Sequence, residues 1–184
     1  TGSFSPQEIL LCRQFFPTKN IVTLMQAFSQ FIAKNKSQEN MKLVCVGNFA
    51  YKNYKDEFIN LTDTLGLSDK ILFFENADDD ELVKLIYHAK AMVIPSLYET
   101  FGFMYVEGRV FNKPFIVADT EVAREVTEGQ CIYFKGEDAS DLASKMMMVT
   151  TKNDLSFNYQ IADAFHEEYA AKNLANFFKR CFVS

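Results

Sequence analysis

The sequence predicts an α/β fold, a doubly wound parallel sheet of about six strands flanked by helices. Three observations carry that expectation. Short β-branched or apolar runs alternate with longer stretches of helical periodicity as far as about residue 150. The strand-like runs are continuously apolar rather than alternating, the pattern of a sheet buried on both faces. Finally, 184 residues, 48% hydrophobic and 23% charged, suit one globular domain that buries its core without disulfide or metal staples.

The elements follow in order. Residues 8–13 (EILLCR) read as the first strand. Ile21, Leu24, Met25, Phe28 and Ile32 then share one helical face, with Thr18 or Asn20 as a candidate cap. Residues 42–46 (KLVCV) form the second strand, closed by Gly47. In residues 51–65, Tyr54, Phe58, Leu61 and Leu65 fall in helical register, and Gly66 supplies a left-handed stop. Residues 71–74 are the third strand. Leu82, Leu85, Ile86 and Ala89 mark the next helix, entered through Asp78, Asp79 and Asp80. Residues 91–94 make a fourth strand ended by Pro95, and a loop leads to a helix near 102–111. Residues 115–118 and 131–134 are the last strands, and helical patterns occupy 139–148, 155–165 and 168–182. Residues 1–7 read as a linker or expression remnant, and 8–184 as the domain.

Nineteen Lys and Arg against 24 Asp and Glu leave a formal charge of −5, without a dense basic run. A duplex-binding protein normally shows a dominant basic face, so nucleic acid is disfavoured as a partner. No run of the sequence approaches the ~18 apolar residues that span a bilayer. Four well-separated cysteines with no C-x-x-C pair fit a reducing, cytoplasmic compartment. Cys12 and Cys45 read as small core hydrophobes.

In an open sheet of this kind a ligand binds outside the carboxyl ends of the strands. The loop after the first strand holds Arg13 and Lys19 at a helix entry, where free N–H groups already attract anions. A diphosphate suits the pair, because Arg binds it in bidentate fashion and Lys acts as a mobile point charge. Two solvated surface cations would look the same. The loop after the fourth strand carries Glu99, and Glu107 falls on the following helix. Gly102 lacks a Cβ, so a ligand could approach the backbone N–H groups of Gly102 and Phe103. Carboxylates accept only, which suits hydroxyl-rich partners such as a ribose or hexose. Asp78-Asp79-Asp80-Glu81 reads as capping and dipole complementarity rather than a metal cluster. His88 and His166 lack companions at ligand spacing, and Met146-Met147-Met148 and the Phe-rich tail read as packing.

The run 94–102 (IPSLYETFG), with Glu107 following Glu99 after seven intervening residues, resembles the E-x7-E signature of family 4 glycosyltransferases. These are retaining enzymes of the two-domain GT-B fold, and the signature lies in their C-terminal, donor-binding, Rossmann-like domain. Arg13 and Lys19 resemble the family's diphosphate loop. Leu65-Gly66-Leu67-Ser68-Asp69 with 71–74, Asp80-Glu81-Leu82, 113–118 (KPFIVA) and Arg124-Glu125-Val126 resemble its later segments in order. Departures fall at Cys12, Met104, Gly108-Arg109-Val110 and Asn112, where the family commonly has Gly, Pro, small residues and Gly.

The resemblance implies that Arg13, Lys19 and Glu99 form the catalytic set. Arg13 and Lys19 would grip the donor diphosphate, and Glu99 would hold hydroxyls of the donor sugar. Glu107 would take the ribose diol. Thr100, Phe101, Gly102 and Phe103 would line the phosphate and sugar, and Asn76 the base. It implies a UDP- or GDP-sugar donor, no cofactor and no metal. It also implies an N-terminal acceptor domain absent from this chain, through which alone any peripheral membrane association would arise. On this reading the isolated chain binds donor without transferring sugar. Two other readings remain: a non-catalytic nucleotide- or carbohydrate-binding module of the same fold, and a nonhydrolysing epimerase, which the PSLYE-x-FG loop disfavours.

Overall fold

The computed structural model describes residues 8–12, 17–34, 38–49, 51–99, 104–105 and 111–151. The helical patterns expected at 155–165 and 168–182 lie outside them. Strands β1 (Glu8–Cys12), β2 (Lys42–Val46), β3 (Ile71–Phe74), β4 (Ala89–Ile94), β5 (Phe115–Ala118) and β6 (Ile132–Phe134) form one sheet. Their order is β3-β2-β1-β4-β5-β6, and every pairing is parallel. Strands added after β1 extend the sheet one way and those from β4 onward the other. The chain therefore reverses direction across the sheet between β1 and β4.

Continuous apolar strands bury side chains on both faces, as parallel sheets require. Leu43, Cys45, Ala91, Val93, Ile116 and Ala118 point to one face, against α1 (Ile21–Lys34), α2 (Lys52–Thr64) and α5 (Ala139–Thr151). Val44, Val46, Met92, Ile94, Phe115 and Val117 point to the other, against α3 (Asp79–His88) and α4 (Glu121–Thr127). The helical face read from the sequence is the buried one: Leu24, Met25 and Phe28 of α1 are fully enclosed. Each side chain of that size contributes about 1.5–3 kcal/mol by leaving water. Met146 is fully buried and Met147 and Met148 pack against the same core, in agreement with a packing role. Cys45 is also enclosed, and burial pushes its thiol far above the ordinary range.

Local chemistry ends the helices where the sequence says it should. Gly66 adopts φ 65; its N–H donates to Asp63 O at 3.0 Å and Leu67 N–H to Thr62 O at 2.9 Å, a Schellman stop for α2. Three elements differ from expectation. Ala89 closes α3 in extended geometry and pairs with β1 as the first residue of β4, because a small buried side chain suits either element. Helix α4 was not foreseen, since seven residues are too few to show a period; Thr120 Oγ1 caps it by accepting from Ala123 N–H at 3.1 Å. Cys131 precedes β6 rather than joining it. Among the described residues no helix is long and apolar enough to cross a membrane.

Candidate functional site

The carboxyl ends of β1 and β4 lie side by side where the strand order reverses. In open α/β sheets this crevice is where ligands bind. After β1 the chain makes a 3₁₀ turn, Pro17–Lys19, that ends on Lys19 and feeds α1. After β4, Pro95 ends the ladder and the loop runs to Glu99. Lys19 Nζ donates to Glu99 Oε1 at 2.5 Å, and the two side chains retain only 18% and 15% exposure. A contact between residues eighty positions apart thus places a cation against a carboxylate at the switch point.

Neighbouring bonds hold these loops in place. Leu97 N–H donates to Thr18 O at 3.1 Å, joining the β4 loop to the 3₁₀ turn. Asn20, in the left-handed region at φ 54, donates from Nδ2 to the carbonyl of Gly136 after β6. Gly136 in turn lies against Leu97, whose Cδ2 would stand 2.7 Å from an added Cβ. The β1, β4 and β6 loops are therefore laced together behind the Lys19–Glu99 pair.

Tyr105, helical together with Met104, is almost wholly enclosed, and its hydroxyl has no hydrogen-bond partner among the described residues. Burial first, then the negative charge of Glu99, push its pKa far above the usual range. At the end of β5, Arg124 binds Asp119 through both carboxylate oxygens, at 2.6 and 2.8 Å, and lies 4.7 Å from the Tyr133 ring centroid. The Arg124 hydrogen bonds hold the Asp119 carboxyl below the ordinary carboxylate range.

Of the residues expected at the site, Lys19 and Glu99 come together. Asn76 sits exposed in the turn after β3, two strands from β1 and about 10 Å away at ordinary strand spacing. Arg13, Thr100, Phe101, Gly102, Phe103 and Glu107 lie outside the described residues. The acidic run at 78–81 is a capping box: Asp78 accepts from Glu81 N–H at 2.8 Å and Glu81 accepts from Asp78 N–H at 3.2 Å. Sequence reasoning offered Asn20 only as a cap for α1, whereas its side chain reaches Gly136 instead, and it missed Gly136 and Tyr105. Asn20 carried a weak signal, since Asn tolerates the left-handed conformation better than most residues; Gly136 and Tyr105 carried none.

Chemically, Lys19 offers three N–H donors and a positive charge, and Glu99 accepts only. The pair can address both an anionic group and a hydroxyl group of one ligand held between the loops.

Comparison with known proteins places this geometry in context. The model of a family described as glycosyl transferases group 1 matches residues 5–165. An uncharacterized glycosyltransferase of Methanocaldococcus jannaschii is 29% identical over 125 residues, which cover 66% of this chain and 30% of that protein. The chain spans less than a third of the first curated relatives it matches. Among solved structures, the C-terminal domain of a glycosyl transferase group 1 family protein from Francisella tularensis superposes with a TM-score of 0.68 at 16% identity, covering 96% of this chain and 86% of that one. An Anabaena protein solved with UDP and glucose superposes at 0.66 with 20% identity, over 96% of this chain and 44% of that one. At these identities the structural likeness is one of fold.

Proposed function

Because the chain belongs to the group 1 glycosyl transferases, we propose that it is the donor-binding, C-terminal half of a GT-B enzyme. The full enzyme, of the retaining family 4 type, would transfer a sugar from a nucleoside diphosphate to an acceptor. Residues 8–184 would form the nucleotide-sugar-binding domain, with 1–7 a linker or expression remnant. The observation that carries the reading is the Lys19–Glu99 contact at the point where the strand order reverses. The near-complete overlap with an isolated C-terminal domain of this family, and the UDP and glucose held by another protein of this fold, support it.

In this reading the donor lies along the carboxyl edge of the sheet. Its base meets the β3 turn near Asn76, and its ribose diol meets Glu107. The diphosphate is held by Arg13, Lys19 and the backbone N–H groups of 101–103, beside Thr100. The sugar hydroxyls donate to Glu99. When the bond from the anomeric carbon to the diphosphate breaks, the electron pair leaves with the phosphate oxygen. Preorganised cations stabilise that new charge without reorganising solvent, and the family resemblance implies that no metal takes part. Lys19 would turn from Glu99 toward the diphosphate when the donor enters. Donor is UDP- or GDP-linked, the protein acts in the cytoplasm, nucleic acid is no partner, and any membrane contact belongs to the acceptor domain. This chain alone would bind nucleotide without transferring sugar.

Calorimetric titration with UDP and GDP tests the reading. One of the two should bind, and Glu107→Ala should weaken it. Failure of both at millimolar concentration would overturn it. In the complete enzyme Glu99→Gln should abolish turnover while leaving the fold intact; undiminished turnover would favour a non-catalytic binding module.

A further inference from the structure

The loops after β2 and β3 leave the sheet side by side, because Gly47 N–H donates to Phe74 O at 2.9 Å. A charged pair bridges them. Lys55, in the first turn of α2, donates from Nζ to both Glu75 oxygens at 3.0 Å, and Glu75 immediately precedes Asn76. Strand spacing sets this pair about 10 Å from β1, the reach from a diphosphate held there to its base across one ribose.

The side chains of the pair keep 39% and 44% exposure, and ion pairs this open to water contribute little to stability. The pair is nevertheless held from behind. Lys55 Nζ stands 5.9 Å from the Phe49 ring centroid. Phe49 in turn packs against Phe73 of β3 and Phe58 of α2, at 4.9 and 5.4 Å between centroids. Such anchoring orders the side chain before a ligand arrives. Tyr51 sits at the N-cap of α2, makes no side-chain cap bond and is 61% exposed. Ser, Thr, Asp or Asn would serve the helix better there. An exposed flat ring one turn before Lys55, at this edge of the sheet, is a surface on which a base can stack.

The order of donors and acceptors then picks the base. Lysine donates only and a carboxylate accepts only, so the pair presents one donor and two acceptors. Guanine's Watson–Crick edge is the complement: O6 accepts, while N1–H and the N2 amino group donate. Uracil offers a single N–H between two carbonyls. One Glu75 oxygen would then face a carbonyl oxygen with no proton between them, which costs affinity.

We propose that Lys55 and Glu75 select guanine, so that the donor is GDP-linked; the proposal rests on the donor-binding reading above. Guanine stacks on Tyr51, and the two Glu75 oxygens accept from N1–H and the N2 amino group. Lys55 shifts to bridge O6 and the nearer Glu75 oxygen.

Calorimetric titration of the chain with GDP, UDP and inosine diphosphate, which lacks the N2 amino group, tests this. GDP should bind about tenfold or more tightly than UDP, with inosine diphosphate between them. Glu75→Gln should close most of the gap between GDP and UDP, whereas a residue acting only on the fold would weaken both alike. Lys55→Met should weaken GDP and inosine diphosphate by the same factor, and Tyr51→Ala should weaken all three nucleotides. UDP binding as tightly as GDP, inosine diphosphate matching GDP, or an unchanged GDP-to-UDP ratio in Glu75→Gln would each overturn the proposal and leave the donor crevice standing. Binding of none of the three at millimolar concentration would instead overturn the donor-binding reading, and this proposal with it. The ratios among nucleotides in the parent chain keep the test decisive if a variant fails to fold.

Discussion

Lys19, at the end of the turn after β1, and Glu99, in the loop after β4, form an ion pair of 2.5 Å across the point where the strand order reverses. Because both side chains are mostly buried, the pair differs from an exposed surface bridge. Removing one partner leaves the other charge partly dry and unmatched. Lys19→Met should therefore destabilise the fold by about 1–3 kcal/mol, and Glu99→Gln, which still accepts from Lys19, by less. Urea denaturation would measure both. On the donor-binding reading, Lys19→Met should also weaken nucleotide diphosphate binding by about tenfold or more, readable by calorimetry. A wild-type midpoint in Lys19→Met would remove the structural part of this account.

Asn20 serves two purposes that mutation separates. Its backbone is left-handed, and its side chain ties the β1 loop to Gly136. Asn20→Gly keeps the conformation and loses the tie, so it should cost about 1 kcal/mol. Asn20→Ala loses the tie and strains the backbone, adding about 1 kcal/mol more. Equal stabilities for the two variants would show that the conformation carries no cost here.

Tyr105 buries a hydroxyl without a partner among the described residues. Tyr105→Phe removes that group and keeps the ring in its place. Thermal unfolding should find the variant as stable as the parent or up to about 1–2 kcal/mol more stable. A clear loss of stability would reveal that the hydroxyl is bonded in solution.

The Asp119–Arg124 pair sets an acid-side dependence. The Asp119 carboxyl is held low by Arg124, so its contribution is present above the ordinary carboxylate range and is lost as pH falls through the depressed value. Carboxyl-carbon NMR titration should find the Asp119 midpoint below about 3.9, the unperturbed value, and Arg124→Gln should return it upward. An unmoved midpoint in the variant would assign the depression to another group. Both side chains are largely solvated, so the effect belongs to the titration curve more than to stability.

Much of this architecture was legible because local physics wrote it. Residues 42–46 and 115–118 are apolar at every or nearly every position, and only a sheet covered on both faces hides such strands. Gly66 and the Asp78–Glu81 box act within a few residues of themselves, so any window of sequence contains their whole argument. Helix α4 and the strand start at Ala89 escaped because one is too short to show a period and the other is a small residue at home in either element.

By itself the sequence determined the α/β class, the buried faces, the helix stops and the two charged loops to search. It named Lys19 and Glu99 for separate duties and could not say that they touch. The tertiary structure decided that contact, together with the Asn20–Gly136 lacing and the enclosure of Tyr105. The reason is the range of the interactions. Periodicity and capping report neighbours a turn apart, whereas a contact across eighty residues exists only once β1 has found β4 in the sheet.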